Sequence, residues 1–303
     1  MGVSSRLILT ILLMFVLGGA FFGVELLKGD RVQMVYCDVG QGDGFVLFGG
    51  GGKQIVFDGG LGGKMADCLG RYMPFWDREI DAMVLTHAQK DHMEGQVELL
   101  KRYRVRQIVW SGAVGSGALF DEWKKLVGDE GAQIYEIRRG DRIEFGNIGF
   151  EVLWPTKRFM DLWKLVEGSD LNETSVVVRM NYGGVCAYFT GDIPVARLVE
   201  VVDKNCQILK VAHHGSKTGT NDEVIEKMRP KLAIIQVGAT NNYGHPNREV
   251  LDSLNKFGVE ILRNDIQGDV LIQFENNQFK VVPGKYFDKV SLGYIIPLRF
   301  AFK

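Results

Sequence analysis

The hydrophobic residues of the chain follow two different spacings. Short apolar runs such as "DAMVLT" and "KLAIIQVG" are typical of buried strands. Between them, "ALFDEWKKLVG" and "NREVLDSLNKFG" place apolar residues at helical spacing, and each ends at a glycine. Strand and helix patterns therefore alternate along the chain. This alternation predicts the α/β class, with mixed sheets covered by helices in one domain.

Several strand patterns are joined by short polar turns, which predicts hairpins as well as helical crossovers. Turns rich in glycine or asparagine separate paired apolar runs, as expected for hairpins. These segments are "FVLF" with "KQIVFD", "DRIEFGNIGFEVLWP", "TSVVVRMNYGGVCAYFTGD" and "DVLIQFENNQFKVV". Residues 156–171 are polar and show neither period, so they are predicted to form an irregular surface excursion.

The N-terminal segment differs from the rest of the chain. Eighteen residues without a charge, Leu7–Val24, lie between Arg6 and Glu25. This length suits an uncleaved membrane anchor, although a cleaved signal peptide or a buried helix remains an alternative. We therefore divide the chain into an anchor or signal segment at 1–29, a folded domain at 30–283 and a C-terminal tail of unassigned role at 284–303. With Arg6 on the cytoplasmic side, the domain is expected outside the cytoplasmic membrane, or secreted if the segment is cleaved.

Composition narrows the function classes only a little. The chain has 303 residues, 24% of them charged, and a net charge of −1. This excludes a wholly basic nucleic-acid coat, but it leaves room for a local basic groove. The four cysteines form no C-x-x-C pair, which argues against a zinc ribbon. An exported location would permit disulfides, but the sequence does not indicate the pairing: Cys37, Cys68, Cys186 and Cys206.

Metal-binding side chains follow several of the predicted strands. All five histidines of the chain fall within three short loops flanked by glycine, and aspartates accompany them. Imidazole and carboxylate groups at strand ends suit Zn²⁺, Mn²⁺ or iron. Taken alone, each could be a turn or surface residue, and Asp192 before "IPVARL" could be a helix N-cap. The residues after the strands are Asp58, His87, Asp91, His92, Asp192, His213 and His214.

Taken together, these motifs resemble those of a known family. The order "DGG", "LTHAQKDHMEG", "NETSVVV", "FTGD", "VAHHGS" is similar to the metallo-β-lactamase superfamily. The stretches "YCDVGQGDGFVLF", "HHGSKTGT" and "NNYGHPNREVL" more closely resemble the metallo-β-lactamase domain of the ComEC/Rec2 competence proteins, which act in DNA uptake. The resemblance covers roughly residues 31–275 and suggests a free-standing version of that domain with one hydrophobic span.

The resemblance implies an αββα four-layer sandwich with a cleft for one or two divalent ions, zinc or manganese. The positions matching the metal ligands are His87, Asp91, His92, Asp192 and His214. His213 is the neighbour of the last ligand, and the two histidines could exchange roles. Asp58 matches an aspartate that supports the histidine loop.

Two positions depart from the family pattern. Gln89 stands where many members have histidine, and Asn172 falls near another histidine position. The first metal site would then have only His87 and Asp192, with Asn172 or Gln89 as the alternatives for a further ligand. The second would have Asp91, His92, His214 and Asp192. Sites rich in oxygen favour Mn²⁺, while zinc is the commoner metal of the family.

The remaining motif residues are candidates for substrate contact. Asp38 and Asp43 either line the cleft or form a tight turn. His245 is predicted to donate a proton to a leaving group, with Tyr243 binding substrate, unless "NNYGHP" is only a loop ordered by Pro246. Ser216 and Lys217 would contact a phosphate.

The expected reaction is hydrolysis by a metal-bound hydroxide, with Asp91 orienting the water or acting as base. By family analogy, the substrate would be a phosphodiester of DNA or a nucleotide, linked to DNA uptake. Two alternatives stay open. One is a lactam or thioester hydrolase, and the other is a non-catalytic, membrane-tethered module that binds nucleic acid or acts as a scaffold. No protein partner can be named from the sequence.

Overall fold

The computed structural model describes residue 10 and residues 12–14, 32–166 and 168–283. The predicted N-terminal span lies mostly outside these residues, and the predicted tail at 284–303 lies wholly outside them. Within the described part of the chain, no helix combines the length and the hydropathy needed to cross a membrane. The anchor, the tail and the domain bounds of 30–283 therefore stay predictions.

The first sheet has eight strands and is mixed. Its chain-order neighbours β1, β2 and β3 pair antiparallel, whereas β3, β5, β7 and β8 run parallel. The order across the sheet is β17-β16-β1-β2-β3-β5-β7-β8. Its strands are β1 (Val32–Tyr36), β2 (Gly44–Phe48), β3 (Gln54–Asp58), β5 (Ala82–Leu85), β7 (Gln107–Trp110), β8 (Gln133–Glu136), β16 (Val270–Glu275) and β17 (Gln278–Pro283).

The second sheet has seven strands in the order β15-β14-β13-β12-β11-β10-β9. The strands from β12 to β15 run parallel, and the others form antiparallel hairpins. They are β9 (Arg142–Phe145), β10 (Ile148–Trp154), β11 (Val177–Tyr182), β12 (Val185–Phe189), β13 (Ile208–Lys210), β14 (Leu232–Ile235) and β15 (Glu260–Arg263). A separate pair joins β4 (Glu79–Ile80) to β6 (Arg104–Val105).

The helices cover the outer faces of both sheets. Those after sheet 1 strands are α1 (Lys64–Tyr72), α2 (Lys90–Leu100) and α3 (Ala118–Glu130). Those after sheet 2 strands are α4 (Lys157–Trp163), α5 (Val195–Val201), α6 (Asp222–Met228), α7 (Arg248–Lys256) and α8 (Asn264–Gln267). Short 3₁₀ turns lie at Gly50–Gly52, Leu171–Thr174 and Ala212–Gly215.

Three apolar layers hold the four structural layers together. The inner faces of the two sheets meet around a cluster of phenylalanines, with ring centroids 4.5–6.0 Å apart. A second layer lies beneath α1, α2 and α3, and a third beneath α5, α6 and α7. This arrangement confirms the predicted αββα sandwich. The phenylalanines at its centre are Phe45, Phe57, Phe150 and Phe189.

Two local predictions need correction. Residues 156–171 are not wholly irregular, because α4 forms there after Thr156, whose hydroxyl accepts a hydrogen bond from the N–H of Phe159 at 3.0 Å. The helix α1 was not predicted from the sequence, since its glycine-rich start and Gly70 weaken the helical pattern.

The cysteines, which the sequence left unpaired, form two disulfides. Cys37, at the end of β1, bonds to Cys68 in α1, and Cys186 in β12 bonds to Cys206. Each bridge joins a strand to a segment that packs on the outer face of its sheet. Cys37 was expected to be buried and is fully so, whereas Cys186 is only half-buried.

Candidate metal centre

The polar loops singled out in the sequence come together because their strands end at the same edge of the sandwich. In sheet 1, β3 runs parallel to β5, so Asp58 lies beside the segment that carries His87 and Asp91. In sheet 2, β12 runs parallel to β13, so the loop carrying Asp192 lies beside His214. The carboxyl ends of parallel strands point to one side, which places these side chains around one cleft.

Four side chains form the centre of this cleft. The Nε2 atom of His92 lies 3.2 Å from Oδ2 of Asp192, and the Nε2 atom of His214 lies 3.1 Å from the same oxygen. His214 Nε2 is also 3.3 Å from Oδ2 of Asp91. The four ligand atoms all lie within 4.8 Å of one another. Three of the four residues are buried, and the Asp91 side chain is 24% exposed, so solvent reaches the cluster along Asp91.

The opposite ring nitrogens of the two histidines are held by other groups. His92 Nδ1 lies 2.8 Å from the Asp58 carboxylate, which also accepts hydrogen bonds from the N–H and hydroxyl of Thr86. His214 Nδ1 lies 2.9 Å from the carbonyl oxygen of Gln236. Because these partners are acceptors, we assign the ring proton to Nδ1 in both histidines. In the neutral form of each ring, Nε2 then presents a lone pair towards Asp192.

When both rings are neutral, these lone pairs face the carboxylate oxygen, so a proton or a metal ion must lie between them. Within the described residues, several buried atoms at this point have no hydrogen-bond partner, whereas buried polar atoms usually have one. Nitrogen and oxygen donors converging in this way fit a divalent metal ion. These atoms are Nε2 of His92, Nε2 of His214, Oδ1 of Asp192 and Oδ1 of Asp43, and Nε2 of the adjacent His87 has no partner either.

The pKa shifts in the metal-free cleft also indicate that a positive charge is favoured there. Burial lowers the pKa of His92 and of His214, but the charge of Asp192 outweighs it and holds both pKa values well above the usual range. Burial raises the pKa of Asp192, yet His214 and His92 bring it well below its usual value. Without a metal ion, protons on the two histidines thus supply the charge that the carboxylates attract.

A family model described as the metallo-beta-lactamase superfamily matches residues 37–238, which contain every side chain of this cluster. The chain belongs to the metallo-β-lactamase superfamily. Within it, the chain is similar to curated competence proteins. It is 32% identical over 212 residues to ComE operon protein 3 of Bacillus subtilis, covering 68% of this chain and 26% of that protein.

A second relative and a solved structure agree with this. Recombination protein 2 of Haemophilus influenzae is 25% identical over 261 residues, covering 82% of this chain and 30% of that protein. The chain thus spans less than a third of the length of these two relatives. The metallo-beta-lactamase fold protein YhfI of Bacillus subtilis aligns with a TM-score of 0.56 at 12% identity, covering 81% of this chain and all of YhfI. At this identity the structural likeness concerns the fold alone.

The half of the cleft around His87 has fewer charged groups than the four-residue cluster. The His87 ring lies 4.1 Å from the ring of His92, and its Nδ1 is 3.1 Å from the Thr86 hydroxyl. Burial and the charge of His92 lower the pKa of His87 to about 3, so this imidazole stays neutral. Gln89 is half-buried immediately before α2, and Asn172 is buried in the 3₁₀ turn at Leu171–Thr174. Both departures from the superfamily pattern therefore offer neutral amides.

Three aromatic side chains form one wall of the cleft. His213 Nε2 lies 3.8 Å from Asp192 Oδ2, farther than His214 Nε2, and the His213 side chain is 26% exposed. His245 packs on His213 at 5.7 Å between ring centroids, and the exposed Tyr243 stacks on His245 at 5.8 Å. The structure therefore places His214 in the four-residue cluster and His213 beside it. It also brings the "NNYGHP" loop to the cleft.

Other predicted residues have different surroundings. Asp38 is half-buried and accepts the N–H of Gly40 at 3.2 Å, which is the tight-turn alternative, whereas Asp43 is buried beneath the cleft. The Ser216 hydroxyl is hydrogen-bonded to that of Thr218 at 2.9 Å, so it serves the loop itself. Lys217 is exposed. Asp192 does not precede α5 directly, because that helix begins after Pro194.

Two residues of the cleft were not predicted from the sequence. Lys210 and Gln236 are both buried there, and each follows or ends an apolar strand of sheet 2. The only signal was a lysine inside the apolar run "QILKVA" directly before the two histidines. A buried charge in such a run is uncommon unless it is paired.

Proposed function

We propose that this protein is a metal-dependent hydrolase that cleaves phosphodiester bonds in nucleic acid or nucleotides. The observation that carries the proposal is the convergence of unpartnered, buried atoms of His92, His214 and Asp192 in an accessible cleft, with the buried His87 beside His92. A decayed site would have little reason to hold such groups unpaired, because buried polar atoms without partners are unfavourable.

The residues divide into ligands and proton carriers. Asp91, His92, Asp192 and His214 would hold one divalent ion, and His87 would contribute to a second, weaker position. A divalent cation bound there would lower the pKa of a water molecule and polarise the scissile bond. Asp91 is the partly exposed carboxylate of the cluster, so it can orient the attacking water or accept its proton. His245 lies on the wall of the cleft, where it can donate a proton to the leaving oxygen.

The phosphodiester substrate is supported by the similarity to competence and recombination proteins rather than by a bound ligand. The exposed Tyr243 offers a flat ring beside the cleft, on which a nucleobase could stack. The proposed link to DNA uptake rests on the same relatives. Manganese or zinc would serve as the metal, since the ligand set contains two imidazoles and two carboxylates.

A direct test measures metal content and hydrolysis together. We expect the purified full chain to retain zinc or manganese and to cleave single-stranded DNA or bis(p-nitrophenyl) phosphate in its presence. His214→Ala should lower both metal content and the rate by more than about 100-fold, because a direct ligand is lost. If the wild-type chain is folded and binds DNA but takes up no metal, the scaffold alternative replaces this proposal. If it hydrolyses a lactam or thioester instead, the substrate class is wrong.

We also propose that the domain lies outside the cytoplasmic membrane, tethered by the N-terminal segment. The two disulfides support this location, because such bonds persist mainly in oxidising compartments. Protease added to cells whose outer layers have been opened but whose cytoplasmic membrane is intact should degrade the domain. Protection equal to that of a cytosolic marker protein would contradict this location.

A further inference from the structure

A buried lysine lies beneath the metal cluster. Lys210 ends β13 and is 1% exposed. It shares the inner face of sheet 2 with Ile208, so its side chain enters the space between the two sheets. The ammonium group pairs with the carboxylate of Asp43 and lies 3.9 Å from Oδ1 of Asp192. It also donates to the carbonyl oxygen of Gly191 at 3.2 Å.

Asp43 in turn contacts a metal-facing histidine. Its Oδ1 atom lies 3.2 Å from Nδ1 of His214, the ring nitrogen on the side away from Asp192. His214 thus has Asp192 on one side, and on the other side Asp43 lies beside the Gln236 carbonyl that accepts the Nδ1 hydrogen bond. For His92, the Asp58 carboxylate accepts that hydrogen bond itself. Carboxylates in this position fix the tautomer and the orientation of a ligating histidine.

The segment that carries Asp43 is held rigidly. Gly42 has a φ of 111°, and a Cβ atom built on it would come within 1.9 Å of the carbonyl oxygen of Asp91. On the other side of Asp43, the carbonyl of Gly44 accepts a hydrogen bond from the Gln236 amide at 2.8 Å. Any other residue at position 42 would push the loop away from α2. Asp43 is therefore fixed in place between the two sheets.

We propose that Lys210 and Asp43 form a positioning pair for the metal centre. Lys210 joins the Asp43 and Asp192 carboxylates through one ammonium group, and the Asp43 charge, together with the Gln236 carbonyl, keeps His214 with its Nε2 directed at the metal position. Lys210 would not contact the metal or the substrate; it acts through Asp43 and Asp192. The inference rests on the proposed metal centre but not on the proposed substrate.

A purely structural role would not require a charged pair at this place. Apolar side chains of similar size often replace a buried ion pair without loss of stability, since burial of two charges removes their hydration. The neighbouring inner-face residue of the same strand, Ile208, is apolar and belongs to the core between the sheets. An ion pair at the end of this strand, directly under the ligands, is explained by its contacts with Asp192 and, through Asp43, with His214.

The test compares the affinity of the full, metal-free chain for Co²⁺ in single and double variants. We expect Lys210→Met and Asp43→Asn each to weaken Co²⁺ binding by about 10- to 100-fold, the usual effect of losing an outer-shell partner. The double variant should weaken binding about as much as either single variant, because the two residues act as one unit. Lys210→Arg, which keeps the charge, should recover part of the affinity.

The matched control is Arg179→Met, which removes another buried cation of the same sheet. It should leave the Co²⁺ affinity and the visible absorption spectrum of bound Co²⁺ unchanged, whereas Lys210→Met should alter both. A folded Lys210→Met variant that binds Co²⁺ within about twofold of wild type would overturn the inference. If Lys210→Met does not fold, the double variant decides, and wild-type affinity there overturns it equally. If wild-type protein itself binds no Co²⁺, the proposed metal centre fails as well.

Discussion

Two buried cations of the second sheet, Lys210 and Arg179, have contrasting surroundings. The Arg179 side chain is 2% exposed, and its two terminal nitrogens bond to Glu151 and Asp203. Tyr188 completes this cluster, since its hydroxyl donates to Asp203 at 3.1 Å. Arg179 shares the outer face of the sheet with Val177, whereas Lys210 lies on the inner face at the edge of the cleft.

The two clusters differ in how far their acidic side chains are exposed to solvent. Glu151 and Asp203 are 36% and 55% exposed, so water can solvate the part of their negative charge that Arg179 does not neutralise. Asp43 and Asp192 are almost completely buried, and Lys210 alone cannot balance them together with Asp58 and Asp91. In the first cluster, two partly exposed acids balance one buried cation. The second has an excess of buried acceptors, and such an excess indicates where a cation binds.

The largest contrast should come from removing one acid of each cluster. Asp192→Asn should weaken metal binding by more than about 100-fold, because a direct ligand contributes more than an outer-shell partner. Asp203→Asn should leave metal binding unchanged and lower the free energy of unfolding by about 0.5 kcal/mol, as expected for an exposed partner. The measurement is the rise in the thermal unfolding midpoint when Zn²⁺ or Mn²⁺ is added.

This comparison is informative in both directions. An equal metal-induced rise in the midpoint for wild type and Asp192→Asn would mean that the excess of acceptors has another purpose. A loss of the rise in Asp203→Asn would mean that the two clusters are coupled through the sheet.

A change in pH should have an intermediate effect on the free energy of unfolding, because His87 is buried and neutral in the metal-free cleft. Its pKa is about 3 in the folded protein, below the ordinary value of 6.5, so the unfolded chain takes up a proton first as the pH falls. The stability contribution of neutral His87 is fully present above pH 6.5, and it is lost towards pH 3 by about 1.4 kcal/mol per unit. Between pH 6.5 and 5, the free energy of unfolding of His87→Asn should therefore fall by about 2 kcal/mol less than that of wild type.

Urea unfolding in the presence of a chelator, repeated across this pH range, measures the difference. Arg179→Met serves as the control, because Arg179 stays charged throughout the range. When plotted against pH, its free energy of unfolding should lie below that of wild type and have the same slope. A His87→Asn curve parallel to that of wild type would show that His87 is not held neutral by burial.

Local patterns predicted mixed sheets covered by helices and most of the cleft, whereas the αββα sandwich was implied by the resemblance to the superfamily. Apolar strands that end in histidine or aspartate gave the loops of Asp58, His87, Asp192 and His214, and these do meet at one edge. The pairing of Lys210 with Asp43 could not be predicted, since the two residues belong to different sheets and only the packing of the sheets brings them together. The disulfide between Cys37 and Cys68 could not be predicted for another reason: it depends on the packing of α1 on the first sheet, and α1 itself was not predicted.

The smallest change in metal binding is expected from Gln89→His. This variant tests the contrast between the two halves of the cleft most finely. Gln89 is half-buried two residues after His87, and Asn172 offers only another neutral amide, so this half should bind a metal ion weakly. We expect wild type to bind about one ion per chain tightly, and Gln89→His to approach about two, because the new imidazole completes a nitrogen-rich site. The affinity for the first ion should change by less than about threefold, since its ligands Asp91, His92, Asp192 and His214 are untouched. Titration with Co²⁺, followed by absorption and by metal analysis of the isolated protein, measures both numbers. Two tightly bound ions in the wild type would show that Gln89 does not limit this half, and one ion in the variant would show that His87 belongs to no second metal site.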